Sequence, residues 1–131
     1  MEQNEKTRAL LAAFGCALAY LLAGKVLTAV LPQVPEEAAR MWAFVHRCAA
    51  APIVEELVFR GIIQQLARPL GERQAVALQA VLFAVQHRGP AGIAYALVCG
   101  LVLGTLRSRT GSVWPGMLLH TLNNLLVFAA G

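Results

Sequence analysis

The stretch APIVEELVFRGIIQQL, residues 51–66, sets two glutamates and an arginine inside an apolar run. That run extends from about Met41 to Leu66, and a bilayer-crossing helix takes about 20 residues. An ionised side chain at the centre of a membrane helix costs roughly 2.5–3.5 kcal/mol on insertion scales. Uncompensated, Glu55, Glu56 and Arg60 together would cost on the order of 8–10 kcal/mol. Such a segment persists where its charges neutralise one another or do chemistry.

The surrounding composition supports a membrane setting. Of 131 residues 58% are hydrophobic and 14% charged, against about 25% charged in soluble domains, and mean hydropathy is +0.61. All seven acidic residues are glutamates. Aspartate favours turns and caps, so its absence suits a chain that is nearly all helix with short connections. The net charge of +4 comes from Lys and Arg at the ends of apolar runs, which is topology rather than a nucleic-acid-binding face. Cys16, Cys48 and Cys99 are far apart and lack metal-type spacing, so they read as reduced thiols.

Working outward, five apolar segments can be marked: about Ala9–Leu31, Met41–Leu66, Gln74–His87, Ala91–Leu106 and Val113–Ala130. Loops carrying Pro32 and Pro35, Pro69 and Gly71, Gly89 and Pro90, and Gly111 separate them. The first run continues to Leu31, about twice a signal-peptide core, and reads as an uncleaved membrane helix. The expected fold is an all-α polytopic membrane helix bundle of about five segments. The third and fourth, at 14 and 16 residues, are short enough to turn back within the membrane. The chain, 1–131, reads as one membrane-embedded domain: an N-terminal helix and loop over 1–40 and a motif-bearing core over 41–131.

Lys6, Arg8, Arg68, Arg73, Arg107 and Arg109 fall on one side of this topology. Arg40, Arg47 and Arg88 fall on or near the other. The bias predicts a cytoplasmic N-terminus. The small size and lack of a large soluble part suggest a multi-pass protein of a bacterial inner membrane.

Polar groups on three segments share one depth. Glu55 is about 16 Å from the inner end of its helix, His87 about 20 Å and His120 about 10 Å, with Asn124 a turn deeper. Such residues face a bundle interior or a wet cavity. Glu56 and Arg60 are four apart in the favoured order for a helical ion pair, a structural role. Glu55 points about 100° away and has no local partner. His87 is its candidate partner, and a glutamate beside a histidine around a water is a general-base arrangement. His120 and Asn124, also four apart, suit hydrogen bonding to a developing oxyanion. Phe83, one turn before His87, is expected to pack on the imidazole. His46 beside Arg47 reads as interfacial and receives no role.

Glu55-Glu-x-x-Phe-Arg-Gly61, Phe83-x-x-x-His87 and His120-x-x-x-Asn124, in that order, resemble the three motifs of the CAAX-protease and bacteriocin-processing (CPBP, Abi) family of intramembrane endopeptidases. The resemblance covers about Ala51 to Leu125. It implies an all-helical membrane enzyme cleaving peptide bonds in a cavity within the bilayer. It also implies that Glu55 and His87 activate water, that His120 and Asn124 bind it or hold the oxyanion, and that Glu56 and Arg60 shape the site. Family members commonly carry more membrane helices, so a second copy or a partner membrane protein is a candidate for closing the cavity.

The expected function is therefore glutamate-activated hydrolysis of a protein or peptide substrate delivered by the lipid bilayer, without a cofactor. Prenylated C-termini, peptide leaders and sorting tails all fit such a site. Two rivals stand beside it, and a transporter or proton relay is a third possibility that the small size and lack of paired half-repeats count against. One is the same reaction through zinc, since two histidines and a glutamate are a known ligand set. The other is a non-enzymatic scaffold or immunity protein whose polar band only holds helices together.

Overall fold

The computed structural model describes residues 2–131 and is helical throughout, with short connections. Helix α1 (Glu2–Val30) is rich in Ala and Leu and has Glu2 and Glu5 in its first turn, where acidic side chains favour the helix dipole. The helical trace stops just before Pro32. Pro35 then starts a continuous rod over residues 36–66, here α2.

Two stretches of the rod are wound wider than an α-helix: His46–Ala50 and Glu56–Ile63. The Ala51 N–H donates to the His46 carbonyl and the Gln64 N–H to that of Phe59, each spanning five residues. Pro52 follows the first stretch. It has no N–H to give to Cys48, and in an α-helix its ring would press on that carbonyl. Opening the preceding turn relieves the conflict.

A tight turn (Arg68–Leu70) leads into α3 (Glu72–Ala84), then α4 (Gly89–Thr110) and α5 (Trp114–Ala130). α3 is short, as expected. α4 corrects the expectation for the fourth segment: it has 22 residues, about 33 Å, rather than 16. Arg107 and Arg109 continue the helix, since arginine is a good helix former and suits a helix C-terminus. The stop is Gly111, left-handed at φ 70°, a conformation glycine adopts without steric penalty. α1 and α4 are each long and apolar enough to cross a membrane.

The bundle is apolar outside and partly polar inside. Leu11, Leu18, Val26, Val98, Leu118 and Leu126 are each more than half exposed, while Glu56, Arg60, Gln64, Gln79 and His120 are buried. That outer surface exceeds what a soluble monomer shows water, and it suits hydrocarbon. α1 packs through Ala9, Ala13 and Ala17, four apart on one face. Its Tyr20 ring meets Phe59 edge-on at 5.4 Å. The core joins these to Ile63, Leu82, Phe83, Ala84 and Ala96.

α3 and α4 pack most closely. A Cβ on Gly100 would lie 2.9 Å from both Cα and Cβ of Ala80, and the Gln79 amide donates to the Gly100 carbonyl at 2.8 Å. The Gln64 amide likewise donates to the Gly104 carbonyl at 3.0 Å and to Ser108 Oγ at 2.9 Å. Buried amides of this kind hold membrane helices together.

Gly100→Leu should therefore lower stability by about 1–3 kcal/mol through overpacking, read as a lower unfolding midpoint in detergent. Gly92, with nothing within 4 Å of its would-be Cβ, should accept alanine with no loss and up to about 1 kcal/mol of gain.

Candidate active site

Glu56 is the centre of the polar interior. It sits on the second wide stretch of α2, and neither its side chain nor that of Arg60 has any exposure. Arg60 Nη1 lies 3.1 Å from Glu56 Oε1, the i,i+4 pair read from the spacing. The same oxygen is 2.8 Å from His120 Nδ1 on α5. A carboxylate held beside a guanidinium carries no proton to give, so the His120 Nδ1–H donates. Gly116, one turn before His120, must lack a side chain here: its Cβ would lie 2.7 Å from Glu56 Oε2.

The His120 ring spans both glutamates. Its Nε2 lies 3.5 Å from Glu55 Oε2, long for a direct hydrogen bond. Glu55 differs from its neighbour in being 21% exposed. It faces a cleft of about 800 Å³ whose walls include His87, His120 and Asn124, together with Arg40, His46 and Arg47.

His87 follows the end of α3. Its Nδ1 lies 3.1 Å from the Phe83 carbonyl. A carbonyl can only accept, so Nδ1 carries the proton, and in the neutral ring Nε2 is left as an acceptor. Asn124 Nδ2 donates to the Arg47 carbonyl at 2.9 Å, and its Oδ1 accepts from Asn123 Nδ2 at 3.3 Å. Asn123 in turn accepts from the Tyr95 hydroxyl.

Phe83 ties these groups to the core. Its ring centroid is 4.8 Å from that of His87, 5.9 Å from His120 and 5.2 Å from Phe59, all edge-on. The Arg60 guanidinium carbon lies 4.5 Å from the same ring centroid, a cation–π contact. One aromatic ring thus supports both imidazoles and the buried arginine.

All seven residues singled out in the sequence lie in this region. Glu55, His87, His120 and Asn124 line the cleft, and Glu56, Arg60 and Phe83 sit behind it. His46 also reaches the cleft, which the sequence does not suggest. It is nine residues before Glu55, so an ideal helix puts the two about 180° apart, and the wide turns re-aim it. Gln64 and Gln79 carry no sequence signal either, being neutral amides in apolar runs. Among the described residues no group of three His, Cys, Asp or Glu has the closeness needed to hold a metal ion.

The structure is thus an all-helical bundle with an apolar exterior and a polar cleft whose wall includes Glu55. Residues 37–126 match the family model described as Rce1-like, type II CAAX prenyl endopeptidase Rce1-like. That is well over half the chain, and the chain belongs to this family. The family is a membrane-embedded peptidase family. No curated protein and no solved structure matches the chain.

The two glutamates should separate on mutation. Glu56→Ala leaves Arg60 buried without its counter-charge and should cost about 3–5 kcal/mol, seen as a large fall in the unfolding midpoint. Glu55→Gln, at the cleft wall, should shift stability by less than about 1 kcal/mol.

Proposed function

We propose that the protein is an intramembrane endopeptidase of the glutamate type. Glu55 takes a proton from a water whose second hydrogen is accepted by His87 Nε2. The water oxygen attacks the scissile carbonyl carbon, and the developing oxyanion is held by hydrogen bonds from Asn124 Nδ2 and from His120 Nε2–H, the latter requiring a His120 ring that carries both protons, its Nδ1–H staying on Glu56. For Asn124 this means exchanging its bond to the Arg47 carbonyl for one to substrate. The C–N bond then breaks, and Glu55 returns the proton to the leaving amine. Glu56 and Arg60 position His120 from behind and touch no substrate. The observation that carries this reading is the single cleft surface shared by Glu55, His87, His120 and Asn124.

The setting proposed is a bacterial inner membrane with the N-terminus cytoplasmic. The substrate is a protein or peptide whose cleavage site the membrane delivers. A second copy or partner protein is the proposed means of closing the cleft.

Glu55→Gln and His87→Ala should each lower kcat by about 10²–10⁴-fold while the protein remains folded. In cells, a membrane precursor should accumulate in the Glu55→Gln strain and be absent from wild type. Unchanged cleavage of that precursor by both variants would sink the proposal. Activity surviving in a strong chelator supports glutamate chemistry, whereas loss restored by zinc transfers the reaction to the metal reading.

Gly116→Ala offers a milder test. Its Cβ would displace a carboxylate already held by Arg60 and His120, so kcat should fall by about 10–100-fold with KM little changed. Wild-type kcat in this variant would mean that Glu56 does not position His120 for the reaction.

A further inference from the structure

A second polar cavity lies at the opposite end of the bundle from the cleft. It has a volume of about 190 Å³, and its walls include Arg60, Gln64, Arg68, Glu72, Arg107 and Ser108. Its walls are the end of α2, the start of α3 and the end of α4. None of these residues faces the catalytic cleft.

The side chains on its walls are unsatisfied in a directed way. Arg60 is 1% exposed, and among the described residues none of its guanidinium nitrogens makes a hydrogen bond. Its contact with Glu56 is an ion pair off the line of a hydrogen bond. Arg107 Nε is also buried without a partner among the described residues. Buried donors without acceptors are rare and costly.

Charge points the same way. Glu56 stands behind Arg60, and Glu72 lies 3.6 Å from Arg68 and accepts from Ser108. Two carboxylates thus face three guanidiniums, and one positive charge is left over. Attraction to a helix C-terminus explains why Arg107 and Arg109 end α4. It does not explain why Arg107 Nε is buried on the cavity wall without an acceptor among the described residues. Guanidiniums match phosphate oxygens in geometry and charge. The cavity also lies where Arg68, Arg73, Arg107 and Arg109 gather at the helix ends, the level of lipid headgroups in a membrane-crossing bundle.

We propose that this cavity binds a singly charged phosphate oxyanion, either the phosphodiester of a membrane lipid or free inorganic phosphate. Arg60 and Arg107 donate to its oxygens, and Arg68 closes the outer side. The bound anion thereby fixes Arg60, the residue that holds Glu56. The site stands independently of the hydrolytic reading.

The test uses the full chain, purified in nonionic detergent and freed of lipid. In one arm, thermal unfolding is followed in sodium phosphate and in sodium chloride at matched ionic strength. In the other, native mass spectrometry measures retention of phosphatidylglycerol against diacylglycerol, which lacks the phosphate. A midpoint raised by phosphate alone identifies the free ion, and selective retention of phosphatidylglycerol identifies the lipid. Whichever arm responds, Arg107→Gln should weaken binding by about tenfold. Arg73→Gln, outside the cavity, should leave it within about twofold. The proposal is overturned if neither arm responds, which leaves the cavity to water. It is equally overturned if diacylglycerol is retained as well as phosphatidylglycerol in the absence of a phosphate effect. Wild-type binding by both Arg107→Gln and Arg68→Gln places the response elsewhere and overturns it too.

Discussion

The Glu56 carboxylate, shared between Arg60 on its own helix and His120 on α5, is the constraint from which the rest of the structure follows. Removing an ion pair from water carries a desolvation penalty of several kcal/mol per ion. The attraction between the charges offsets it only at close range and with further hydrogen bonds. That requirement dictates the neighbours. His120 must come within hydrogen-bond distance, so α5 must cross α2 at this level. Gly116 must be bare so that it can cross so closely. Phe83 must lie against the guanidinium, where a ring face is the apolar surface that best tolerates a cation.

The same reasoning extends to the neutral polar groups. Gln79 and Gln64 bind carbonyls of α4 that are already used within that helix, and each reaches its target because a glycine removes the side chain in the way. Glycine and glutamine therefore act together in the seams that α2 and α3 make with α4. In a bilayer, exclusion of apolar groups from water does not press helices together, so close packing and hydrogen bonds must do so. The outward Leu and Val side chains match the solvent there and carry little information about which helix meets which.

Much of this was legible from residue spacing, and the exceptions have a common cause. The helical class, the ion pair four residues apart, and the common depth of Glu55, His87, His120 and Asn124 follow from period and length alone. His120 bridging two carboxylates does not, because it depends on how α5 crosses α2. Nor does the arrival of His46 and Arg47 at the cleft, or the use of the Arg47 carbonyl by Asn124. Those depend on the wide turns, which break the 3.6-residue period that spacing arguments assume. That α4 runs on past Leu106 to Thr110 shows a related limit: an apolar run marks only the apolar part of a helix, and arginine is compatible with a helical last turn.

The junction between Glu55 and Glu56 joins these strands. Two adjacent carboxylates on one helix have opposite surroundings: one sealed against a guanidinium, the other partly open to a cleft of about 800 Å³. Adjacent residues diverge by about 100° on any helix, so one facing inward turns the other aside. Winding changes at this point, from α-helical Ala51–Glu55 to the wider Glu56–Ile63, and Glu56, Phe59, Arg60 and Ile63 all lie on the buried side. Glu55 is then left at the cleft wall, and the His120 imidazole lies between it and the sealed pair. Environments that differ this sharply are what allow two chemically identical groups to take different tasks. The structural glutamate holds the histidine that the exposed one faces.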